Sequence, residues 1–299
     1  MYKKTILFSV LFSFVSSEGK TQESCLANFD DRENRIAIIG DYGHDGQGNG
    51  SARVAKLVQK HKPSSIITLG DNIYPDFDKK ADLDKLMAKP YLKYLGAHTG
   101  AQSGKKANRR FYPTIGNHDV KDGRVSTYLS YFQPPGNGRY YDFVCGPVHF
   151  FSLNSALETD GNTEDSEQAQ WLKEKLEAST AQFKVVYFHH PPYSSGSHGP
   201  SKHMRWPFKE WDVDVVLSGH EHNYERIERD GIRYVVNGLG GNPYIRGFKD
   251  VDPESVIRYS AQFGALFLTI KKESLSFKFI TIDGKTIDAF DVKDNGDSA

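Results

Sequence analysis

Two stretches, RIAIIGDYG at residues 35–43 and SIITLGDNIY at residues 65–74, decide the fold of this chain of 299 residues. Each is a short apolar run, typical of a buried strand, followed by a Gly-Asp pair. The segment between them, residues 51–61, has the pattern of a helix. Asp41 and Asp71 therefore lie just past strand ends, where open α/β sheets place their ligand sites.

Alternating strand and helix signals continue along the first half of the chain, and strand signals dominate after residue 222. Residues 79–95 look helical, and a helix with apolar positions at Ala169, Leu172 and Leu176 follows an acidic loop at 158–166. Apolar runs with strand character lie at 110–115, 140–144, 148–153, 183–188, 213–217, 232–236, 265–270, 275–280 and 286–290. The runs at 140–144 and 148–153 predict a hairpin across Gly146-Pro147.

Composition limits the classes of partner. With 38 basic and 38 acidic residues the formal charge is zero, so no global field attracts nucleic acid or an anionic membrane. A content of 38% hydrophobic and 13% aromatic residues is enough for a large core. We expect no nucleic-acid partner, and any attraction for anions must be local.

The amino terminus has the three parts of a secretory signal. Lys3 and Lys4 precede an apolar run from Thr5 to Val15, and small residues follow. The run is too short for a membrane span, so we expect an exported, soluble mature protein. A periplasm, a lysosome-like compartment and the extracellular space remain open as destinations. The predicted divisions are a signal peptide at 1–17, an extension at 18–33, one domain at 34–292 and a tail at 293–299.

Cys25 and Cys145 are the two cysteines of the chain, which excludes a disulfide-built scaffold and a cysteine-based zinc site. Export would permit them to pair, but Cys145 also closes a strand-like run in which it could simply be buried. The sequence leaves the pairing open. The polar residues 21–24 before Cys25 argue against a lipid anchor.

Five motifs in order along the chain supply oxygen and nitrogen ligands for two metal ions. They are Gly40-Asp41-Tyr42-Gly43, Gly70-Asp71-Asn72-Ile73-Tyr74, Gly116-Asn117-His118-Asp119, Val186-Tyr187-Phe188-His189 and Gly219-His220-Glu221-His222. Each has an ordinary reading when taken alone, because a Gly-Asp pair after a strand is usually a turn and a tyrosine usually packs. Their joint occurrence in this order argues against those ordinary readings.

As an ordered set the motifs resemble those of the metallophosphoesterase, or calcineurin-like, superfamily. Tyr74, three residues after Asp71, points to the purple acid phosphatase branch, and the chain length is similar to its compact members. The resemblance implies an α/β fold of two packed mixed β-sheets flanked by helices, a four-layer αββα sandwich.

The resemblance also implies the metal ligands. The first ion would be held by Asp41, Asp71, Tyr74 and His222, and the second by Asp71, Asn117, His189 and His220, with Asp71 as the bridge. Gly43 stands where many phosphodiesterase relatives have a histidine, and a Tyr74 phenolate can replace that ligand. A hard anionic oxygen favours a trivalent ion, so Fe(III) is expected at the first site and Fe(II), Zn(II) or Mn(II) at the second.

The same resemblance gives a reaction. A small phosphate monoester would be attacked by a metal-bound hydroxide, with His118 as the proton donor to the leaving alcohol and His198 as a phosphate contact. His190 and His203 are the alternatives for the role of His198. A phosphodiesterase or nucleotidase on the same metals is the alternative function, and a non-catalytic metal-binding module is a remote one. The substrate, pH optimum and oligomeric state stay open.

Overall fold

A computed structural model describes residue 25 and residues 34–44, 49–74, 89–95 and 110–293. The predicted signal peptide, most of the extension and the end of the tail lie outside the described residues. So do residues 79–88 of the predicted helix at 79–95. No helix within the described residues is long and apolar enough to cross a membrane.

Thirteen strands and five helices make up the described part of the chain. The strands are β1 (Arg35–Ile39), β2 (Ser65–Thr68), β3 (Phe111–Pro113), β4 (Tyr141–Cys145), β5 (Val148–Ser152), β6 (Phe183–Tyr187), β7 (Val215–Ser218), β8 (Tyr224–Arg229), β9 (Ile232–Asn237), β10 (Ser255–Tyr259), β11 (Gly264–Ile270), β12 (Ser274–Thr281) and β13 (Thr286–Lys293). The helices are α1 (Gly50–His61), α2 (Lys89–Leu95), α3 (Asn117–Val120), α4 (Arg124–Phe132) and α5 (Glu167–Glu177).

The strands form two mixed sheets. The first sheet has the order β13-β12-β11-β1-β2-β3, and the second has the order β10-β8-β9-β7-β6-β5-β4. In the first sheet β1, β2 and β3 are parallel neighbours, and in the second β5, β6 and β7 are. Parallel strands direct their carboxyl ends to one edge, so each sheet has an edge at which successive loops meet.

The core is built in layers. Apolar side chains of both sheets, such as Ile38 and Val185, pack together in one cluster between them. A second cluster joins the outer face of the first sheet to α1, α2 and α4, and a third joins the second sheet to α5. Inner strands such as β2, β5 and β7 are buried on both faces, which explains their continuous apolar runs. This confirms the predicted four-layer sandwich.

Cys25 and Cys145 form a disulfide, with their Cα atoms 5.0 Å apart. The Cys25 amide also donates to the Val144 carbonyl at 3.2 Å. Cys25, which lies in the predicted extension at 18–33, is thus tied to the edge strand β4. The bond answers the question of pairing that the sequence left open.

The sequence predicted the hairpin of β4 and β5 and the helix that buries Ala169, Leu172 and Leu176. It missed α4 and two strands, β8 and β10. In β8 the side chains of Glu225 and Arg226 are buried, because each is paired with other polar groups. Buried charged residues interrupt the apolar pattern that marks a strand.

Candidate metal centre

The loops that carry the predicted ligands lie at the carboxyl ends of adjacent strands. Asp41 follows β1, Asp71 follows β2 and Asn117 follows β3, whereas His189 follows β6 and His220 follows β7. The first three strands are neighbours in one sheet and the last two are neighbours in the other. Each sheet therefore presents its ligands at a single edge.

Hydrogen bonds between the sheets bring the two edges together. The His189 ring donates from Nδ1 to the Leu69 carbonyl at 2.7 Å. The backbone amide of His220 donates to Oδ2 of Asp41 at 2.9 Å. Both bonds join a residue after a strand of the second sheet to the end of a strand of the first. The ligand set is thus assembled across the interface of the two sheets.

The backbone at the site is strained. Asp41, Asp71 and His220 have positive φ angles of 56°, 52° and 69°, a region of backbone conformation that residues other than glycine rarely adopt. Gly70 shows how tightly the loops fit, because a Cβ atom there would lie 2.5 Å from Nδ1 of His189. Strain of this kind persists only where surrounding contacts hold it, and it concentrates at functional sites.

We call Asp41, Tyr74 and His222 the first donor cluster. The Tyr74 hydroxyl lies 3.5 Å from Oδ1 of Asp41 and 3.4 Å from Nε2 of His222. Nε2 of His222 lies 3.4 Å from the same carboxylate oxygen. All three side chains are buried. Three of the donor atoms predicted for the first ion thus lie within 3.5 Å of one another.

We call Asn117, His189 and His220 the second donor cluster. Oδ1 of Asn117 lies 3.0 Å from Nε2 of His189 and 3.0 Å from Nδ1 of His220. The rings of the two histidines are at 75° to each other, with centroids 5.1 Å apart. The predicted ligands of the second ion therefore also converge.

Asp71 lies between the clusters. Its Oδ1 is 3.4 Å from Nε2 of His189, and one donor atom each of Asp41, Asp71 and His189 lie within 4.8 Å of one another. Burial alone would raise the pKa of Asp71, but the charge of His189 holds it below its usual range. Burial alone would lower the pKa of His189, but Asp71 raises it to about 9. The carboxylate is ionised where a bridging ligand is expected.

Hydrogen bonds to backbone carbonyls fix which nitrogen of each ring carries a proton. A carbonyl can only accept, so His189 is protonated at the Nδ1 that contacts Leu69. His222 is likewise protonated at Nδ1, which donates to the Tyr244 carbonyl at 2.8 Å. In the neutral rings Nε2 then carries a lone pair, and in both residues it faces another acceptor oxygen. Such pairs of acceptors require a cation or an added proton between them, so these residues fit metal ions.

Tyr74 does not ionise by itself in this site. Burial raises the pKa of its phenol well above the usual range, and the charges of Asp71 and Asp41 raise it further. A phenolate at this position therefore needs a strongly charged cation beside it. The chemistry of the first donor cluster is suited to such an ion, since hard anionic oxygens prefer it.

His118, the predicted proton donor, lies beside the first donor cluster. Its ring packs on the Tyr74 ring with centroids 4.4 Å apart, and its backbone amide donates to Oδ1 of Asp71 at 2.8 Å. Burial lowers the pKa of His118, and Asp71 opposes that shift. Nδ1 of the ring is buried without a hydrogen-bond partner among the described residues. The ring is thus close enough to the centre to be tested as a proton donor.

The three candidates for a phosphate contact occupy different places. The His198 ring is half-exposed and lies 4.6 Å from the ring of His220, measured between centroids. The His190 ring is 4.5 Å from that of His220 and holds the Ser155 hydroxyl at 2.9 Å through Nδ1. His203 lies on a short helical turn at 202–204 and is exposed. His198 and His190 thus border the second donor cluster.

Sequence reasoning gave no role to two residues inside the quoted motifs. The Asp119 carboxylate accepts hydrogen bonds from the amides of Gly116 and Ile73, both at 2.8 Å. It also accepts from the Asn72 side chain at 2.9 Å. These bonds tie the loop after β2 to the loop after β3. The sequence could have indicated this contact, because Asn72 and Asp119 each lie in a motif with a predicted ligand.

Comparison with known proteins identifies the family of this chain. The sequence model for the calcineurin-like phosphoesterase family matches residues 34–224. The tartrate-resistant acid phosphatase type 5 of Rattus norvegicus is 24% identical over 302 residues, which cover 85% of this chain and 88% of that protein. Purple acid phosphatase 7 of Arabidopsis thaliana is 24% identical over 324 residues, with 95% and 96% of the two chains covered.

Solved structures share the fold. A purple acid phosphatase from yellow lupin (Lupinus luteus) seeds superimposes with a TM-score of 0.72 at 19% identity, over 90% of this chain and 56% of the lupin protein. A protein described as the anchor in the inner membrane complex of Plasmodium superimposes with a TM-score of 0.68 at 18% identity, over 87% and 89%. The family match spans the motifs from β1 to the start of β8. This chain therefore belongs to the calcineurin-like phosphoesterase family.

Proposed function

We propose that this protein is a binuclear-metal phosphatase of the purple acid phosphatase type, acting on phosphate monoesters. The observation that carries the proposal is the first donor cluster, in which a tyrosine stands beside a carboxylate and an imidazole. The similarity to purple acid phosphatases supports the same conclusion. We infer that Asp41, Asp71, Tyr74 and His222 hold the first ion and that Asp71, Asn117, His189 and His220 hold the second.

When bound, the two ions supply an activated water and neutralise charge on the phosphate. The charges of the ligands favour an anionic substrate. Asp41, Asp71 and a Tyr74 phenolate give three negative charges, against five positive charges from one trivalent and one divalent ion. We infer Fe(III) in the first donor cluster and Fe(II), Zn(II) or Mn(II) in the second.

Two histidines of the chain would complete the reaction. His118 would give a proton to the leaving alkoxide, because its ring is held against Tyr74 next to the centre. His198 would donate a hydrogen bond to a phosphate oxygen from its place beside His220. His118 would thus act on the leaving group, and His198 would act on the phosphate.

We also propose that the protein is exported. The signal-like sequence of residues 1–17 supports this, and the disulfide between Cys25 and Cys145 is suited to an oxidising compartment. We infer a single metallophosphoesterase domain over residues 34–292. The expected partner is a small phosphate ester, with no nucleic acid and no membrane bound by the mature protein.

The test combines metal content with activity on purified protein. Two metals per chain, at least one of them iron, with a purple tyrosinate band and hydrolysis of p-nitrophenyl phosphate, are expected. Protein stripped by a chelator is the control, and adding back iron and zinc should restore both colour and turnover.

Other results would assign other functions. Faster hydrolysis of bis-p-nitrophenyl phosphate than of the monoester would favour a phosphodiesterase. Two metals without iron or colour would place Tyr74 outside the ligand set. Two metals with no hydrolysis of any phosphate ester between pH 4 and pH 9 would favour a non-catalytic metal-binding module.

A further inference from the structure

His198 lies on a loop whose backbone is fixed on both sides. We call residues 194–199 the His198 loop. Gly196 pairs with Phe248 in an isolated antiparallel bridge, and the amide of Lys249 donates to the Ser195 carbonyl at 2.9 Å. The loop is therefore held along its length rather than at its ends alone.

A buried carboxylate holds the beginning of the His198 loop. Glu225, on β8, accepts a hydrogen bond from the Ser195 amide at 2.7 Å and another from the Ser195 hydroxyl. The Ser255 hydroxyl donates to the same carboxylate at 2.6 Å. Glu225 does not touch His198 in any of these contacts, so its role is to anchor the loop.

A second buried carboxylate holds the end that carries the histidine. Oε1 of Glu221 accepts a hydrogen bond from the His198 amide at 2.7 Å, and Oε2 lies 3.4 Å from Nδ1 of the His198 ring. Glu221 is 0% exposed, and its Oε2 makes no hydrogen bond within the described part of the chain. The His198 ring thus lies next to this oxygen.

Gly196 leaves room for the carboxylate of Glu221. A Cβ atom at Gly196 would lie 2.2 Å from the carboxyl carbon of Glu221, so any larger residue would displace the glutamate. Gly196 has no positive φ that would by itself require glycine. The glycine is needed for the close approach of the carboxylate to the loop.

The direction of the His198 ring follows from these contacts. With Nδ1 turned toward Glu221, Nε2 is the nitrogen left to contact a ligand. The ring lies at 33° to that of His220, a residue of the second donor cluster, and its side chain is 36% exposed. A carboxylate on one nitrogen and a ligand on the other is the arrangement that orients an imidazole in many active sites.

We propose that Glu221 is a positioning residue that holds His198 so that Nε2 donates a hydrogen bond to a phosphate oxygen of the substrate. The inference deepens the proposed function and rests on it. Glu221 lies between His220 and His222, so one short segment orders both donor clusters and the phosphate contact.

The variants Glu221→Gln, His198→Ala and their double combination test the inference in metal-loaded protein. In Glu221→Gln an amide NH₂ replaces an acceptor next to the His198 ring. We expect both the KM for p-nitrophenyl phosphate and the Kd for inorganic phosphate, measured by calorimetry, to rise about tenfold. The kcat should change less than about threefold, and the metal content should remain at two. His198→Ala should show the same pattern, and the double variant should be no worse than His198→Ala.

Further variants separate positioning from a general loss of structure. Gly196→Ala should reproduce the rise in KM by displacing Glu221 from the other side. Glu225→Gln should lower the thermal midpoint, since it frees the start of the loop. The exposed Glu210→Gln should leave the phosphate affinity unchanged.

Three results would overturn the inference. Unchanged KM and phosphate affinity in Glu221→Gln would show that Glu221 has no positioning role. If the rise in KM of the double variant were the product of the two single-variant rises, Glu221 would act independently of His198. A fall in metal content would mean that it acts through His220 or His222. Phosphate binding is measured without turnover. Wild-type protein that binds phosphate but hydrolyses no ester would therefore refute the proposed function and leave the test of Glu221 valid.

Discussion

The two donor clusters are assembled in the same way but differ in charge. The first contains a carboxylate and a phenol beside one imidazole, whereas the second contains an amide and two imidazoles. Each lies where strand ends of the two sheets meet, and each has one ring fixed by a backbone carbonyl. The difference between the clusters therefore comes from residue type and not from the scaffold.

This comparison is the basis of our proposal that the two clusters hold different ions. Anionic oxygens select a hard, highly charged ion, and imidazole and amide ligands suit a divalent one. Asp71 connects the two, because it contacts His189 of the second donor cluster and lies close to Asp41 of the first. Substitutions at single residues should therefore differ in what they affect. A change at Asp71 should affect both clusters, one at Tyr74 only the first donor cluster, and one at His118 only the reaction.

The largest effect is expected from Asp71→Ala, which removes the connection between the clusters. We expect metal affinity to fall more than about 100-fold, because even partners outside the ligand set contribute about 10–100-fold. Metal content after gel filtration measures it. Asp291→Ala, an exposed position on β13, is the control. Retention of two metals by Asp71→Ala would contradict a bridging role.

Tyr74→Phe should change the first donor cluster alone. The variant lacks the hydroxyl but keeps the aromatic ring that packs against His118. The fold should therefore persist, and the visible tyrosinate band should disappear. The spectrum of the iron-loaded protein measures this. Tyr128→Phe, a buried tyrosine whose hydroxyl donates to the Pro113 carbonyl, should keep its colour. An unchanged band in Tyr74→Phe would mean that the two clusters do not differ in the way proposed.

His118→Ala should affect the reaction and leave both clusters loaded. We expect turnover of esters with poor, alkyl leaving groups to fall about 10²-fold or more, because those groups need a proton to depart. Esters of p-nitrophenol, a good leaving group, should be affected much less. The measurement is kcat for both substrate types with metal content confirmed. Equal losses for the two would argue against His118 as the proton donor.

The smallest effect is expected in the stability of the metal-free protein, where a proton takes the place of a cation at His189. The pKa of His189 is raised from 6.5 to about 9 in the folded state. A raised pKa adds stability that is fully present below pH 6.5 and is lost as the pH rises through 9. Metal-free protein should therefore lose up to about 3 kcal/mol of unfolding free energy between pH 6 and pH 10.

Urea denaturation of chelator-treated protein at each pH checks this expectation. His189→Gln should remove the pH dependence, and zinc should reverse its sign, because metal binding competes with the proton. A metal-free protein equally stable at pH 6 and pH 10 would show that His189 carries no extra proton, and the acceptor contact with Asn117 would need another explanation.

The sequence predicted those parts of the molecule that depend on local pattern. Apolar runs ending in Gly-Asp marked β1 and β2, and alternation and spacing marked the β4–β5 hairpin and α5. The pattern failed at β8, where buried Glu225 and Arg226 have partners that are distant in sequence. A buried charge resembles an exposed one until its partner is known.

By itself, the sequence determined which donor residues follow which strands, and the order of its motifs predicted those residues as ligands. Tertiary structure decided which atoms meet. The carbonyls of Leu69 and Tyr244 select the ring nitrogen that faces each cluster, and Glu221 turns His198. Every residue has a backbone carbonyl, so the sequence does not show which carbonyls will accept from the histidines. A glutamate between two histidines likewise gives no sign of the ring that it will contact. Such contacts therefore exist only once the two sheets are packed together.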